Sequence, residues 1–328
     1  MAETDSPAAG PNTAEFMGPA RHLAAKRLFH ATRPKFFPAS VLPVIAGSAW
    51  GYMQAGQFDA TVFLLALIAT VLIHAGANVL NDVSDDSIGT DKLNDDRIYP
   101  YTGGSRFIQT GIMSATGMAR LGISLFAVAI LLGLCLVALK GMTVIWFGLA
   151  GALLAILYSL GPVKLSSLGL GEFSVAVAFG VIPVTGAAWL QSGTVDLGVV
   201  LFSLPISMWV AAILLINEVP DISADNATGK HTLAVRLGTG GTGVLYAAMH
   251  VFAVAVIAWM AYQRLLPVYA IVIPAGLLIL ALNAAAAIRN NATDRPRMTK
   301  AIEATLGIHT LGSVWMTAVA LFLAFSGA

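Results

Sequence analysis

Long uninterrupted apolar segments are the feature that most constrains how this chain can fold. A helix needs about 20 mostly apolar residues to cross the hydrocarbon layer of a bilayer, and nine stretches approach or exceed that length. They are residues 37–56, 60–81, 117–139, 142–160, 170–191, 197–217, 242–262, 267–288 and 304–326. The runs are continuous rather than alternating, so they favour helices over the strands of a membrane barrel. We therefore predict an all-α polytopic membrane protein with nine transmembrane helices.

The composition identifies the lipid bilayer as the main environment of the chain. Of its 328 residues, 57% are hydrophobic and 11% are charged, whereas soluble domains average about 45–50% and about 25%. This argues against a soluble enzyme with paired acidic helices, and we expect no nucleic-acid partner. The single cysteine, Cys135, can form neither an internal disulfide nor a cysteine-based metal cage.

The first residues differ from the remainder. The segment up to Gly18 is rich in Ala, Pro, Thr and Asp and cannot bury a core, so residues 1–18 are predicted to be a disordered tail. Residues 19–328 then form the transmembrane domain.

Basic residues predict the orientation of the chain. All Lys and Arg residues except Lys140 and Arg264 fall before the first apolar segment, in the loops after the second, fourth, sixth and eighth or, for Arg120, in the first turn of the third segment on that same side. Such residues accumulate in cytoplasmic loops. We therefore expect a cytoplasmic N-terminus and, after nine crossings, a C-terminus outside.

Two acidic clusters, NDVSDDSIGTD at 81–91 and NEVPDISAD at 217–225, follow the second and sixth apolar segments, on the predicted cytoplasmic side. Their polar residues recur at three or four positions, which places each set on one helix face. The two sets are Asn78, Asn81, Asp82 and Asp85, and then Asn217, Asp221 and Asp225. Mg²⁺ prefers such hard oxygen ligands and is commonly shared with substrate phosphates. The spacing therefore predicts a metal–diphosphate site between the two stripes.

Some polar residues near these stripes are further candidates for the metal–diphosphate site, and others are not. Gly89 would let the chain turn so that Asp91 rejoins the site, whereas Asp95 and Asp96 in KLNDDR are interpreted as solvated loop acids. A diphosphate also needs Arg or Lys for charge compensation. The basic candidates are Arg33, Lys35, Arg97, Arg106, Lys164 and Lys230. The alternative for each is cytoplasmic anchoring of a helix end.

These motifs resemble those of the UbiA superfamily of intramembrane prenyltransferases. The resemblance runs from RPKFFPAS to the final helices and is most specific at NDVSDDSIGTD, YSLGPVK and NEVPDISADNATGKHTLAVRLG. The family's first motif is NDxxDxxxD, but here Gly89 occupies the last acidic position and Asp91 follows two residues later. That spacing is similar to the spacing in the branch of the family that prenylates dihydroxynaphthoate in menaquinone biosynthesis.

The resemblance implies a nine-helix bundle with a central cavity, in a bacterial plasma membrane. It implies Mg²⁺-dependent transfer from an allylic polyprenyl diphosphate to an aromatic acceptor, here 1,4-dihydroxy-2-naphthoate giving demethylmenaquinone. The implied metal and diphosphate ligands are Asn81, Asp82, Asp85, Asp91, Asn217, Asp221 and Asp225.

The remaining site residues complete this assignment. Arg33 and Lys164 would contact phosphate, and Tyr158 and Ser159 would lie beside the reacting carbon. Among all candidates, the catalytic roles are assigned to Asp85, Asp221, Lys164 and Tyr158, and the substrate-binding roles to Arg33, Asn78, Asn81, Ser159, Arg97, Arg106 and Lys230.

Two alternatives remain at this point. A related prenyltransferase acting on another quinone precursor, chlorophyllide, haem or a sugar donor would share the diphosphate site and differ in its acceptor pocket. A membrane transporter would instead need acids deep in several helices. Segments three to five, seven and eight carry essentially none apart from Glu172, so a transporter is disfavoured.

Overall fold

The computed structural model describes residues 10–89, 94–159 and 164–326, the side chain of Ser159 excepted, and these contain α-helices and short 3-10 turns but no strand. The helices are α1 Arg21–Ala31, α2 Pro38–Ala55, α3 Ala60–Ile88, α4 Ala115–Lys140, α5 Thr143–Ser159, α6 Gly171–Ser192, α7 Leu197–Asn217, α8 Ile222–Ala227, α9 Leu233–Tyr262, α10 Val272–Asn290 and α11 Arg295–Ser326. The all-helical prediction is confirmed.

Eight helices in the described part of the chain are long and apolar enough to cross a membrane: α2, α3, α4, α6, α7, α9, α10 and α11. The apolar part of α5, Thr143–Tyr158, is shorter. Every predicted apolar segment is thus helical, and the protein is a multi-pass membrane protein. Nine crossings stay a prediction, because the count depends on α5.

Several helices extend further than their apolar segments predict. α3 continues to Ile88, where Gly89 (φ 88°) ends it in the left-handed conformation. α9 begins at Leu233, where the Thr232 side chain accepts a hydrogen bond from the Val235 amide, and it is kinked at Gly238, whose φ of 61° and ψ of 176° are not helical. Hydropathy detects only the residues inside the hydrocarbon layer, so it does not predict the polar last turns of α3, which carry the acidic residues. Capping satisfies the amide and carbonyl groups that such ends leave without helical partners.

The centre of the bundle is α7, which packs against α2, α6, α9 and α11. The outward faces of α4, α5 and α10 instead expose large apolar side chains, among them Ile130, Trp146 and Val272. Exposed apolar bands of this size are stable only against lipid or another protein. They are the surfaces that we assign to the bilayer.

Small residues let α2 approach α6 closely. A Cβ atom added to Gly47 would lie 2.1 Å from the Val184 carbonyl oxygen, and one added to Gly51 would lie 2.4 Å from that of Ala188. Without a hydrophobic driving force between helices in lipid, such close backbone packing is a main source of association. It fixes α2, whose N-terminal end lies beside the acidic segments.

The described part of the predicted tail is partly packed. Phe16 is 5% exposed and meets the Phe107 ring edge-on, with the ring centroids 5.0 Å apart. Lys26 of α1, a helix absent from the sequence prediction, pairs with Glu15 at 2.8 Å. One aromatic side chain thus packs part of a segment whose composition predicts disorder, and the boundary at Gly18 stays a prediction.

Candidate active site

The two acidic segments approach each other with Lys230 between them. Its Nζ atom lies 4.0 Å from Asp85 Oδ1 and 3.4 Å from Asp225 Oδ1. Asp85 belongs to α3 and Asp225 to α8, so one cation spans two segments that are 140 positions apart in sequence (225 minus 85). The structure therefore brings both predicted stripes into one region.

A tight turn after α8 places Lys230. Gly229 adopts φ 73°, a left-handed conformation that suits glycine. The amide of Lys230 then donates to the Asp225 carbonyl oxygen at 2.8 Å. The turn returns Lys230 over the helix that carries Asp225, which explains the contact between their side chains.

The first stripe is anchored on α3. Asp82 is 3% exposed and its Oδ2 atom accepts a hydrogen bond from the Ser105 amide at 3.0 Å. Its Oδ1 atom lies 3.9 Å from Arg33 Nη1 and receives no hydrogen bond from any described residue. Asn81 donates to Asp85 Oδ2 at 2.8 Å, which orients the carboxylate that faces Lys230.

Arg33 is held by its backbone as well as by its side chain. It has φ 58°, which is uncommon for a residue other than glycine, and its Nη2 donates to the Tyr101 carbonyl oxygen at 3.3 Å. Asn78 donates to the carbonyl oxygen of neighbouring Thr32 at 3.1 Å and ties this linker to α3. A strained backbone conformation of this kind is kept only where surrounding contacts stabilise it. Here it directs the Arg33 guanidinium towards Asp82.

Residues of the loop that follows α3 pack over the second stripe. Asn94 is 3% exposed and its amide group donates to Asp221 Oδ1 at 2.7 Å. Arg97, also buried, donates to the Asn94 carbonyl oxygen. Asn217 presents a buried Oδ1 atom that no described residue reaches with a hydrogen bond. The loop therefore packs against the acidic residues as a polar lid.

The neighbouring loop acids behave as predicted. Asp95 and Asp96 are both exposed, and Asp96 lies 3.9 Å from Arg295 at the surface. The solvated interpretation of these two residues is confirmed, whereas Asn94, in the same KLNDDR segment, points into the site.

Burial disfavours the ionised form of the carboxyl groups in this region, and the nearby positive charge does not fully compensate. Burial raises the pKa of Asp221 above its ordinary value, and it raises the pKa of Asp225 to about 7 although Lys230 acts in the opposite direction. Burial also works against the charge of Lys230, but Asp85 and Asp225 outweigh it and raise the pKa of that amine. Additional positive charge would therefore stabilise the ionised carboxylates.

The donor set fits a divalent cation shared with a substrate. The Oδ1 atoms of Asp82 and Asn217 are buried hard oxygens without a hydrogen-bond donor among the described residues. In that part of the chain no three Asp, Glu, His or Cys side chains form a ready-made metal centre. Mg²⁺ is usually held by one or two carboxylates together with phosphate oxygens and water, so these residues suit a metal–diphosphate complex better than an all-protein cage.

The remaining predicted residues are less closely joined to this cluster. Tyr158, in the last turn of α5, interacts electrostatically with Glu218, Lys230, Glu172 and Asp85. Lys164 begins the turn Leu165–Ser167 and forms no ion pair within the described residues. Arg106 has φ 64° in the loop before α4. Asp91 and the side chain of Ser159 lie outside the described residues.

The sequence model of the UbiA prenyltransferase family matches residues 40–304. The chain belongs to this family. It is a membrane-embedded prenyltransferase.

Three bacterial relatives carry the same name, 1,4-dihydroxy-2-naphthoate octaprenyltransferase. The Escherichia coli protein is 37% identical over 212 residues, which cover 63% of this chain and 67% of that one. The Haemophilus influenzae protein is 33% identical over 65% of this chain and 70% of its own length, and the Bacillus subtilis protein is 29% identical over 73% and 74%.

Solved structures show the same fold. A UbiA homologue from Archaeoglobus fulgidus bound to DMAPP and Mg²⁺ aligns with a TM-score of 0.64 at 16% identity, over 90% of this chain and 99% of that chain. An apo UbiA homologue from Aeropyrum pernix aligns with a TM-score of 0.63 at 20% identity, over 87% and 97%. The UbiA-type helical bundle is thereby confirmed.

Three residues of this UbiA site were missing from the sequence assignment. Asn94 lies in a loop whose charged neighbours suggest solvent. Glu218, inside the second acidic cluster, and Glu172, the isolated acid of α6, are both buried, and their carboxyl groups lie within hydrogen-bonding range of each other. Burial, followed by the charge of Glu172, raises the pKa of Glu218 well above its ordinary value. The isolation of Glu172 in an apolar segment was the available signal.

Proposed function

We propose that this enzyme transfers a polyprenyl group from an allylic polyprenyl diphosphate to 1,4-dihydroxy-2-naphthoate, in a Mg²⁺-dependent reaction on the route to demethylmenaquinone. The observation that carries the proposal is Lys230 lying between Asp85 and Asp225, which makes one polyanion-binding region of two acidic segments. The names of the three bacterial relatives support the acceptor. The DMAPP and Mg²⁺ in the Archaeoglobus homologue support the donor and the metal.

The residues that would hold Mg²⁺ are the oxygen-bearing members of both stripes. They are Asn81, Asp82, Asp85, Asn217, Asp221 and Asp225, and Asp91 is added from the sequence motif. When bound, the ion supplies positive charge that stabilises the diphosphate as the allylic C–O bond breaks.

Basic side chains bind and orient the same leaving group. Lys230 is held by two carboxylates and Arg33 by Asp82 and the Tyr101 carbonyl oxygen, so neither must reorganise when charge develops. Preorganised donors of this kind are a major source of catalysis where negative charge accumulates. We assign Arg97, Arg106 and Lys164 to the surrounding positive field.

Water must be excluded once the allylic carbon becomes cationic. The loop between α3 and α4 supplies the cover: Arg97, Ile98 and Phe107 are buried in it. The face of Tyr158 would steady the cation. Attack by the electron-rich ring, followed by loss of CO₂ or a proton, then restores aromaticity.

The polyprenyl chain needs an apolar path next to this site. A cavity of about 290 Å³ opens between α2, α7 and α11, and Phe36, Ala39, Ile213 and Leu306 are among its lining residues. Its first lining residue, Lys35, lies two positions after Arg33 in sequence. We assign it to part of the prenyl tail, with the remaining length in contact with lipid.

Purified protein in lipid nanodiscs, a labelled polyprenyl diphosphate and a panel of aromatic acceptors test the proposal. We expect product from 1,4-dihydroxy-2-naphthoate that is lost with EDTA and restored by Mg²⁺. Product from another ring in its place would overturn the acceptor assignment, and full activity in EDTA would overturn the metal assignment.

A further inference from the structure

A buried pair of carboxyl groups borders the site, and none of the steps above uses it. Glu172, in the first turn of α6, is 5% exposed, and Glu218, directly after α7, is 8% exposed. The two side chains lie within hydrogen-bonding range of each other. Acidic side chains are almost never buried without a compensating partner, so this pair requires an explanation.

The pair has more hydrogen-bond acceptors than the protein has donors for them. Oε1 and Oε2 of Glu172 and Oε2 of Glu218 are buried, and no described residue outside the pair donates a hydrogen bond to them. A proton shared between the two carboxyl groups would satisfy one of these acceptors and leave the others open. Buried polar atoms without a partner are rare in native proteins, because water has been removed and nothing replaces it. These oxygens are therefore positioned to accept hydrogen bonds from a bound molecule.

The position of the pair indicates which molecule. Tyr158, assigned to the reacting carbon, interacts electrostatically with both glutamates and with Lys230. The first turn of α6 adjoins the Tyr158 ring, since a Cβ atom added to Gly171 would lie 3.7 Å from its Cε2 atom. Lys230 lies against Asp85 and Asp225, so the glutamate pair and the proposed diphosphate region both adjoin Tyr158. A diphosphate offers only acceptor oxygens and negative charge, so it is repelled by the pair.

A metal ion is also a poor occupant. No third Asp, Glu, His or Cys side chain completes a metal-binding group with these two in the described residues. The aromatic acceptor, in contrast, carries phenolic O–H donors, and an open carboxyl oxygen of the pair can accept from one of them. Its own carboxylate would point away from the pair, since like charges repel.

We propose that Glu172 and Glu218 form the acceptor-binding position, in which a carboxyl oxygen of the pair accepts a hydrogen bond from one ring hydroxyl group of the aromatic substrate. This rests on the proposed function and deepens it. The hydrogen bond fixes one end of the ring, and so determines which ring carbon faces the allylic carbon beside Tyr158.

The test uses the variants Glu172→Gln and Glu218→Gln, which keep the side-chain shape and turn one acceptor atom into a donor. The matched control is Glu15→Gln, at a surface carboxyl that is 54% exposed and pairs with Lys26. We expect kcat/KM for the acceptor to fall about 10- to 100-fold in each site variant, as for a hydrogen bond to a charged group. KM for the prenyl diphosphate and the Mg²⁺ dependence should not change.

Acceptors with one hydroxyl group methylated separate binding from a structural effect. Methylation should lower kcat/KM of the wild type by at least about tenfold and that of the variants by much less, because their hydrogen bond is already lost. An equal loss in wild type and variants would overturn the proposal. So would variants in which KM for the prenyl diphosphate or the Mg²⁺ dependence changes and the acceptor KM does not.

Two further measurements keep the result interpretable. The melting temperature in detergent identifies a variant that fails to fold, and Glu172→Asp and Glu218→Asp, which shorten the side chain and keep the carboxyl group, then carry the same comparison. Wild type that prenylates no hydroxylated ring refutes the proposed function itself. Wild type that does so, with Gln and Asp variants of unchanged acceptor kinetics, refutes only the role of the pair.

Discussion

Replacing Lys230 with Met removes the cation that lies between the two acidic segments and keeps most of the side-chain volume. At an effective dielectric constant of about 20, a unit charge pair contributes about 5 kcal/mol at 3.4 Å and about 4 kcal/mol at 4.0 Å, the distances from Nζ to Asp225 and Asp85. Desolvation offsets much of this. Breaking a buried pair by removal of one partner costs about 3–5 kcal/mol.

In the enzyme the same charge would act on the diphosphate, so the loss should appear in turnover. Removal of one preorganised donor typically lowers kcat by about 10²- to 10³-fold, and we expect Lys230→Met to lower kcat/KM for the prenyl diphosphate by that factor. Steady-state kinetics with a labelled prenyl diphosphate measure it. Lys230→Arg, which keeps the charge on a different geometry, should recover part of the activity.

The chain offers a matched control at the same ion-pair distance. Lys140 Nζ lies 3.4 Å from Asp59 Oδ2, with the Asp59 side chain 42% exposed. Exposed pairs contribute about 0–1 kcal/mol, so Lys140→Met should leave kcat/KM close to that of the wild type. A folded Lys230→Met protein with kinetics equal to those of Lys140→Met would exclude a role for the Lys230 charge in binding the diphosphate.

Three further predictions concern the lid, the helix packing and the topology. Asn94→Ala removes the donor to Asp221 and should lower kcat/KM for the prenyl diphosphate about tenfold. The control Asn226→Ala, at an exposed position of α8, should leave it unchanged. Equal kinetics of the two variants would contradict the role of Asn94 in holding Asp221. Gly47→Leu should destabilise the protein by more than about 1–3 kcal/mol, seen as a lower melting temperature in detergent, whereas Gly148→Ala meets no neighbouring atom within 4 Å and should be tolerated. Reporters fused to each terminus should lie on opposite membrane sides, with the N-terminus cytoplasmic, and reporters on one side would show that α5 does not cross.

Helix identity could be predicted from sequence because apolar length is a local property, and each of the nine predicted segments is helical. The ends were less accurate. The polar first turn of α11, from Arg295, lies outside its apolar window. The first turn of α9, from Leu233, is separated from its apolar window by a kink at Gly238. The π segment Ala176–Val181 within α6 has no signature in hydropathy either.

Helical spacing predicts which residues of the site share a helix face, but it does not predict the contacts between segments. Three- and four-residue periodicity places Asp82 and Asp85 near one face of α3, but it says nothing about which residue lies opposite them. The contact with Lys230 depends on the turn at Gly229, and the position of Asn94 depends on non-local packing of its loop. Glu172 and Glu218, 46 positions apart (218 minus 172), become a pair only when α6 packs against α7.

We propose that residues of both acidic segments hold one metal–diphosphate complex. Isothermal titration of a short prenyl diphosphate, with and without Mg²⁺, into wild type, Asp85→Asn, Asp225→Asn and the exposed control Asp96→Asn tests it most directly. We expect Asp85→Asn and Asp225→Asn each to lose the Mg²⁺-dependent part of binding, while Asp96→Asn retains it. Wild-type Mg²⁺-dependent binding in folded Asp85→Asn or Asp225→Asn protein would contradict it.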